Sequence, residues 1–229
     1  MGSHTKIIDL FGTPACGKST LARYLKEHSN LNIGEKADVS RECSGFFHFM
    51  LIWSISISEV INCIKYHYAI PRQNRRKGSL LWKFIKDYSY YSYIQKYSSF
   101  DVVILDNGII QSIISHQNGA DLLNNTKYMQ CIMNLLFSHD SISYWWCNVD
   151  PKVSFVRMRK RNRTKGRIEL KASDKEKQQE LIHEHSLCEK FYHLLLSNHA
   201  DARIINCEKS IADISDEAQS IIDLYIDKT

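Results

Sequence analysis

The chain has 229 residues, 44% of them hydrophobic and 24% charged, with a formal net charge of +5. That length can bury a sizeable core, and apolar runs alternating with helical patterns favour an α/β fold over an all-β one. Its seven cysteines, an odd number without any C-x-x-C pair, argue against a disulfide framework and for a reducing compartment, with the cytoplasm as the expected location. Met1-Gly2-Ser3-His4 reads as the remnant of an expression tag, and no secretory signal is seen after it.

The first predicted element is a short buried strand, Lys6-Ile7-Ile8-Asp9-Leu10-Phe11. The nine residues after it, Gly12-Thr13-Pro14-Ala15-Cys16-Gly17-Lys18-Ser19-Thr20, match the phosphate-binding pattern G-x-x-x-x-G-K-S/T. A helix is predicted from Ser19 onward, with Leu21 and Leu25 on one face. A glycine-rich turn between strand and helix lets successive backbone N–H groups surround a phosphate, and the helix N-terminus adds positive potential. In this setting Lys18 reaches the outer phosphates of a nucleoside triphosphate and the Ser19 hydroxyl ligates magnesium. Cys16, beside the helix N-terminus, is expected to have a lowered thiol pKa.

A second strand is expected over residues 32–37. Residues 43–58 contain no Asp, Glu, Lys or Arg, but four serines and a histidine interrupt them and Glu59 closes them. A membrane span needs about 20 apolar residues, so residues 46–64 are read as a buried helix and no membrane is expected. Residues 71–86 carry six Lys or Arg and no acid. The cluster from Arg72 to Lys77 is either a solvated face or a site for a polyanion. Helical spacing recurs over residues 80–97, where Tyr88, Tyr90, Tyr91, Tyr93 and Tyr97 are either core or, for one such as Tyr88, a stacking surface for a base.

Phe100-Asp101-Val102-Val103-Ile104-Leu105-Asp106 reads as a buried strand ending in an acid, and Asp106 is placed to hold magnesium or substrate. Residues 141–149 form the next strand, and Asp150-Pro151 ends it and opens a basic helix. Residues 151–168 hold eight Lys or Arg and no acid. Arginines on one mobile segment suit closure over a triphosphate, because phosphoryl transfer is catalysed by positioning and by cations that stabilise charge. A long helix is predicted over residues 174–197. His185, Glu189 and His193 share a face of it, without the spacing of a zinc site. A last strand over residues 203–207 and a final helix over residues 213–225 complete a parallel sheet with right-handed crossovers, whose ligands bind at the strands' carboxyl ends.

In order along the chain, the phosphate loop, Arg41-Glu42, Asp106-Asn107-Gly108, Asn148-Val149-Asp150-Pro151, the arginine-rich run ending Arg167-Ile168-Glu169, and Ile204 to Ile211 resemble the motifs of thymidylate-kinase-type nucleoside monophosphate kinases, which are P-loop kinases. The family's counterparts are T-R-E-P after the second strand, D-R-Y or D-R-F after the third, a lid ending D-R-I-E, and a last strand and turn carrying adenine contacts. The resemblance implies one α/β kinase domain over residues 1–229. Its five-stranded parallel sheet would have helices on both faces and a lid near residues 157–172. It implies ATP on Gly12 to Thr20, magnesium on Ser19 and Asp106, and catalytic roles for Lys18, Asp106, Arg159, Arg163 and Arg167. It also implies a small nucleotide acceptor, a (deoxy)nucleoside monophosphate, near Arg41 and the Asp106 turn that holds Asn107, beside which Tyr88 is the stacking candidate named above.

The sequence departs from that family at informative places. Pro14-Ala15 stand where many members carry an acid, Asn107 replaces an arginine, and Lys83 to Tyr88 contains no arginine for the acceptor base. The acceptor is thus less determined than the donor. A nucleoside, a sugar nucleotide or a polynucleotide 5′ end are alternatives, as is an NTP-binding switch or partner-regulated ATPase with no metabolic acceptor. A homodimer is left open.

Overall fold

The computed structural model describes residues 5–42, 89–116, 142–161, 173–198 and 200–227, together with Ile61, Ile64, Lys65, Ile168 and Lys171. Strands β1 (Lys6–Phe11), β2 (Ile33–Glu35), β3 (Val102–Leu105), β4 (Ile142–Asn148) and β5 (Asp201–Asn206) form one sheet in the order β2-β3-β1-β4-β5. Every pairing is parallel, with Ile8 opposite both Ile104 and Ser143. Parallel strands need long crossovers, and the helices that supply them cover both faces.

β1 shows how the sequence builds two layers. Ile7 and Phe11 point to one face, where they meet Val39 of helix α2 (Lys36–Glu42), Tyr91 and Ile94 of helix α3 (89–97), Ile110 and Ile113 of helix α4 (Ile109–His116), and Phe191 of helix α6 (Asp174–Ser197). Ile8 and Leu10 point to the other face. There they pack with Leu21, Ala22 and Leu25 of helix α1 (Lys18–His28) and with Ile214, Ala218 and Ile222 of helix α7 (Ile211–Asp227). A third apolar cluster joins Ala15 of the loop to Phe155 and Met158 of helix α5 (Pro151–Lys160), Ile168 and Leu181.

Local chemistry sets the helix boundaries. Asp150 caps α5 by accepting from Lys152 N at 2.6 Å, with Pro151 at the first helical position. Ser173 and Glu176 form a reciprocal capping box at the start of α6. α1 begins after Gly17 without a side-chain cap, so its first amides remain available to an anion.

The five-stranded parallel arrangement agrees with the sequence expectation, and individual elements refine it. The second strand covers only Ile33–Glu35, because Asp38 accepts from Glu35 N and starts α2 at Lys36. Helix α4 was not expected. Its isoleucines Ile109, Ile110, Ile113 and Ile114 are β-branched and read poorly as helix, and burial against the sheet overrides that preference. Of the predicted helix over residues 80–97, residues 89–97 are helical and the rest lies outside the described residues, as do Tyr88 and almost all of residues 46–64. Tyr90, Tyr91 and Tyr93 are buried core residues, whereas Tyr97 is exposed. No described helix is long and apolar enough to cross a membrane.

Candidate phosphate-binding site

β1 is flanked by β3 and β4, neither its neighbour in sequence, so the chain leaves β1 toward one side and later crosses to the other. The loop after β1 therefore opens at the topological switch point, where parallel sheets bind ligands. Gly12 (φ 152°), Ala15 (φ 63°) and Gly17 (φ 114°) all have positive φ. These turns aim consecutive N–H groups into a concavity suited to an anion. At Gly12 a Cβ would lie 2.6 Å from the Cys147 carbonyl oxygen, so only glycine lets the loop rest against β4.

Lys18 folds back over the loop it closes. Its Nζ donates to Gly12 O at 2.7 Å, to Thr13 O at 3.2 Å and to Cys16 Sγ at 3.4 Å. Burial pushes the ammonium pKa down, but its neighbours, the Cys16 thiolate foremost, outweigh that and hold Lys18 above its ordinary value.

Ser19 and Asp106 meet in front of the loop, Ser19 Oγ donating to Asp106 Oδ2 at 2.7 Å. A hydroxyl and a carboxylate, both partly open to solvent, are hard oxygen donors of the kind magnesium takes in small number while keeping its waters. The two residues fit that ion. Asn107 lies exposed in the adjoining turn. Below it, a Cβ on Gly108 would fall 2.2 Å from Asp9 Oδ1, so this turn is seated directly on the buried Asp9 carboxylate. Tyr91 OH donates to Asp9 Oδ2 at 2.8 Å and accepts from Ile109 N at 2.9 Å, tying α3, β1 and α4 together under Asp106. Burial, together with the Asp9 charge, pushes the Tyr91 phenol well above its ordinary pKa.

Several residues that support the loop were not singled out from sequence. Gln111 Oε1 accepts from Gly12 N at 3.1 Å, and Gln111 Nε2 donates to Glu184 Oε1 of α6 at 3.2 Å. Ser154 shares a 2.8 Å hydrogen bond with Thr13 Oγ1 and lies 2.9 Å from Pro14 O. Arg157 Nη1 donates to Cys207 O at 3.0 Å and to Cys16 O at 3.5 Å. The i, i+3 spacing of Ser154 and Arg157 on α5 is a signal that finds these last two groups. Nothing in the sequence marks Gln111.

Beside the loop lies a cavity of about 340 Å³, lined by Gly17, Thr20 and Leu21, by Arg157, Lys160 and Arg161, and by Cys207, Lys209, Ile211 and Ile214. Apolar floor, cationic wall and loop amides together suit a base joined to a polyphosphate.

The remaining predicted residues fall less directly on the site. Arg159 is 66% exposed and pairs with Asp174 at 3.6 Å rather than reaching the loop, while Arg163 and Arg167 lie outside the described residues. Arg41, 81% exposed on α2, pairs with Asp38 at 3.4 Å. His185, considered above with Glu189 and His193, bonds Asn148 Oδ1 at 2.9 Å.

The sheet order, the loop after β1 and the Ser19–Asp106 pair make an α/β fold with a phosphate loop at its switch point. Among solved structures, the chain is similar to two of deoxyadenosine kinase from M. mycoides. One holds the products dCMP and a flexible dCDP, and the other holds dATP. Each is 16% identical with a TM-score of 0.53; the alignments cover 95% of this chain and 98% and 99% of the others. No protein-family model and no curated protein matches the sequence. The similarity shows a shared fold and does not single out the thymidylate-kinase branch.

Proposed function

We propose that this chain is a magnesium-dependent phosphotransferase that moves the ATP γ-phosphate to a deoxynucleoside-type acceptor. The observation that carries the reading is the Ser19–Asp106 hydrogen bond in front of a loop closed by Lys18, at the switch point of a P-loop kinase sheet. Loop amides and Lys18 hold the donor phosphates, Ser19 and Asp106 hold magnesium, and Arg157 aligns the loop against the base cavity. Arg163 and Arg167, with Arg159 once it leaves Asp174, supply cations to the transferring group. When bound, magnesium neutralises charge on the phosphates and fixes their orientation.

A nucleoside acceptor is favoured over a monophosphate on two grounds. Asn107 stands where a phosphate-holding arginine is expected, and the structures that share the fold are of a nucleoside kinase. A hydroxyl acceptor needs a base, as a phosphate acceptor does not. Glu35, the last residue of β2 and opposite Ile104 of β3, is the carboxylate at the neighbouring strand end. A monophosphate acceptor is the second reading, favoured by the Arg41 guanidinium on α2.

The test uses γ-labelled ATP with a panel of nucleosides, nucleoside monophosphates and 5′-hydroxyl oligonucleotides, and Lys18→Ala as control. Label on deoxynucleosides that Glu35→Gln slows at least tenfold supports the proposal. Label confined to monophosphates moves the reading to the second one. Label on no acceptor, or equal label with Lys18→Ala, overturns both.

A further inference from the structure

Three thiols converge behind the phosphate loop, and the proposed phosphoryl transfer uses none of them. Cys16 lies in the loop, Cys147 on β4 and Cys207 just past β5, with exposures of 0%, 0% and 3%. All three belong to one buried cluster, in which Cys147 lies near enough to Cys16 and to Cys207 for the thiols to affect each other's ionisation. Lys18 Nζ approaches Cys16 Sγ from the other side, at 3.4 Å. Gly12 makes the arrangement possible: a Cβ there would lie 2.9 Å from Cys16 Sγ as well as against the Cys147 carbonyl. Cys16 and Cys207 both border the cavity beside the loop, so a small solute would approach the buried cluster from that side.

The two central thiols have complementary chemistry. The hydrogen bond from Cys147 favours ionisation of Cys16, burial opposes it and Lys18 adds to it, with the net direction down. Hydrogen bonds with Cys16 and Cys207, together with burial, push Cys147 up. A thiolate beside an ammonium is a nucleophile, and a neighbouring thiol is positioned to resolve its oxidised form.

From this geometry we infer that Cys16 and Cys147 form an oxidation site that takes a hydroperoxide and closes to a disulfide between the phosphate loop and β4. The Cys16 thiolate attacks the outer peroxide oxygen of H₂O₂. The O–O bond breaks, hydroxide leaves and takes up the proton released by Cys16 as water, and Cys16 becomes a sulfenic acid. The Cys147 sulfur then attacks the sulfenic sulfur, an S–S bond forms, and the sulfenic hydroxyl departs with the Cys147 proton as a second water. Two thiols are oxidised and one peroxide is reduced to two waters. A disulfide holds its sulfurs about 2.05 Å apart, closer than hydrogen-bonded thiols. Closure therefore draws Cys16 toward β4 and away from Lys18. Cys16 sits between the positive-φ residues Ala15 and Gly17, so this movement disturbs the amides that cradle phosphate.

The test begins with the reduced, full-length, nucleotide-free protein, so that it succeeds or fails independently of the kinase reading. Timed exposure to H₂O₂, alkylation of remaining thiols and peptide mass spectrometry should find a Cys16–Cys147 linked peptide that dithiothreitol removes. In Cys147→Ser, the same exposure should carry Cys16 to the sulfinic acid with no linked peptide. A fluorescent ATP analogue should bind oxidised wild type at least tenfold more weakly, with dithiothreitol restoring affinity in wild type but not in Cys147→Ser. The proposal is overturned if Cys147 links to Cys207 instead, or if Cys16 and Cys147 stay alkylatable while other cysteines oxidise. Unchanged analogue affinity in a protein bearing the link overturns the effect on the loop, while the peptide map alone decides the site.

Discussion

Ser19 and Asp106 are 87 positions apart in the chain and 2.7 Å apart in space, joined by a hydrogen bond between hydroxyl and carboxylate. One lies in the first turn of α1, the other directly follows β3, and pairing of β1 with β3 brings them together. Asp106→Asn keeps the shape and the acceptor oxygen but removes the charge that would hold magnesium. We expect turnover to fall by about 100-fold or more at fixed magnesium. Binding of magnesium-free ATP should change little. Turnover measured across a magnesium titration, beside calorimetry without the metal, checks both halves.

The Tyr91 hydroxyl, bridging Asp9 and Ile109 N, serves the same turn from below. Tyr91→Phe preserves the ring and its packing while taking a donor from a buried carboxylate. A loss of about 1–3 kcal/mol is expected. Urea unfolding would reveal it as a lower midpoint with an unchanged slope. A midpoint equal to wild type would show that the bridge contributes nothing.

Gly12→Ala tests how tightly the loop is seated on β4. The added methyl meets a backbone carbonyl at 2.6 Å, in a backbone conformation (φ 152°) that disfavours a side chain. Backbone cannot yield as a flexible side chain does, so we expect a cost of about 1–3 kcal/mol together with weaker nucleotide binding. Thermal unfolding with and without ATP separates the two effects.

Asp38 governs part of the acid response. Burial would push its pKa up, but the Lys26 ammonium, the Glu35 amide and Arg41 outweigh that and hold it below the usual carboxylate value. A carboxyl whose folded pKa lies below its unfolded one stabilises the fold above the unfolded value, near 3.8, and loses that contribution as pH falls through the folded value. Asp38→Asn should therefore be less stable than wild type at pH 7, with the gap narrowing on acidification below about pH 4. Unfolding free energies that stay parallel across that range would contradict the assignment.

The legibility of the site follows the range of its interactions. β1, the loop and α1 are contiguous, and their signals are local: an apolar run, glycines where the backbone turns, a lysine and a hydroxyl at fixed offsets. Asp106 was legible because a buried strand that ends in an acid stands out. Arg159 read as well as Arg157 did in the sequence, since both belong to one basic run. Only the packing of α5 on the loop turns Arg157 to Cys16 O and Cys207 O while Arg159 faces Asp174. Helix α4 was missed because four isoleucines in eight residues do not resemble a helix until the sheet beneath them is known.

By itself, then, the sequence determined that this chain carries a phosphate loop on a parallel sheet, since strand propensity, helix periodicity and loop glycines act over a few neighbouring residues. The tertiary structure decided what surrounds that loop. Gln111 on Gly12, Ser154 on Thr13, Tyr91 on Asp9 and Cys147 on Cys16 each join residues 80 or more positions apart, from 82 for Tyr91 and Asp9 to 141 for Ser154 and Thr13. Such contacts exist only once the strand order β2-β3-β1-β4-β5 sets elements from distant parts of the chain side by side.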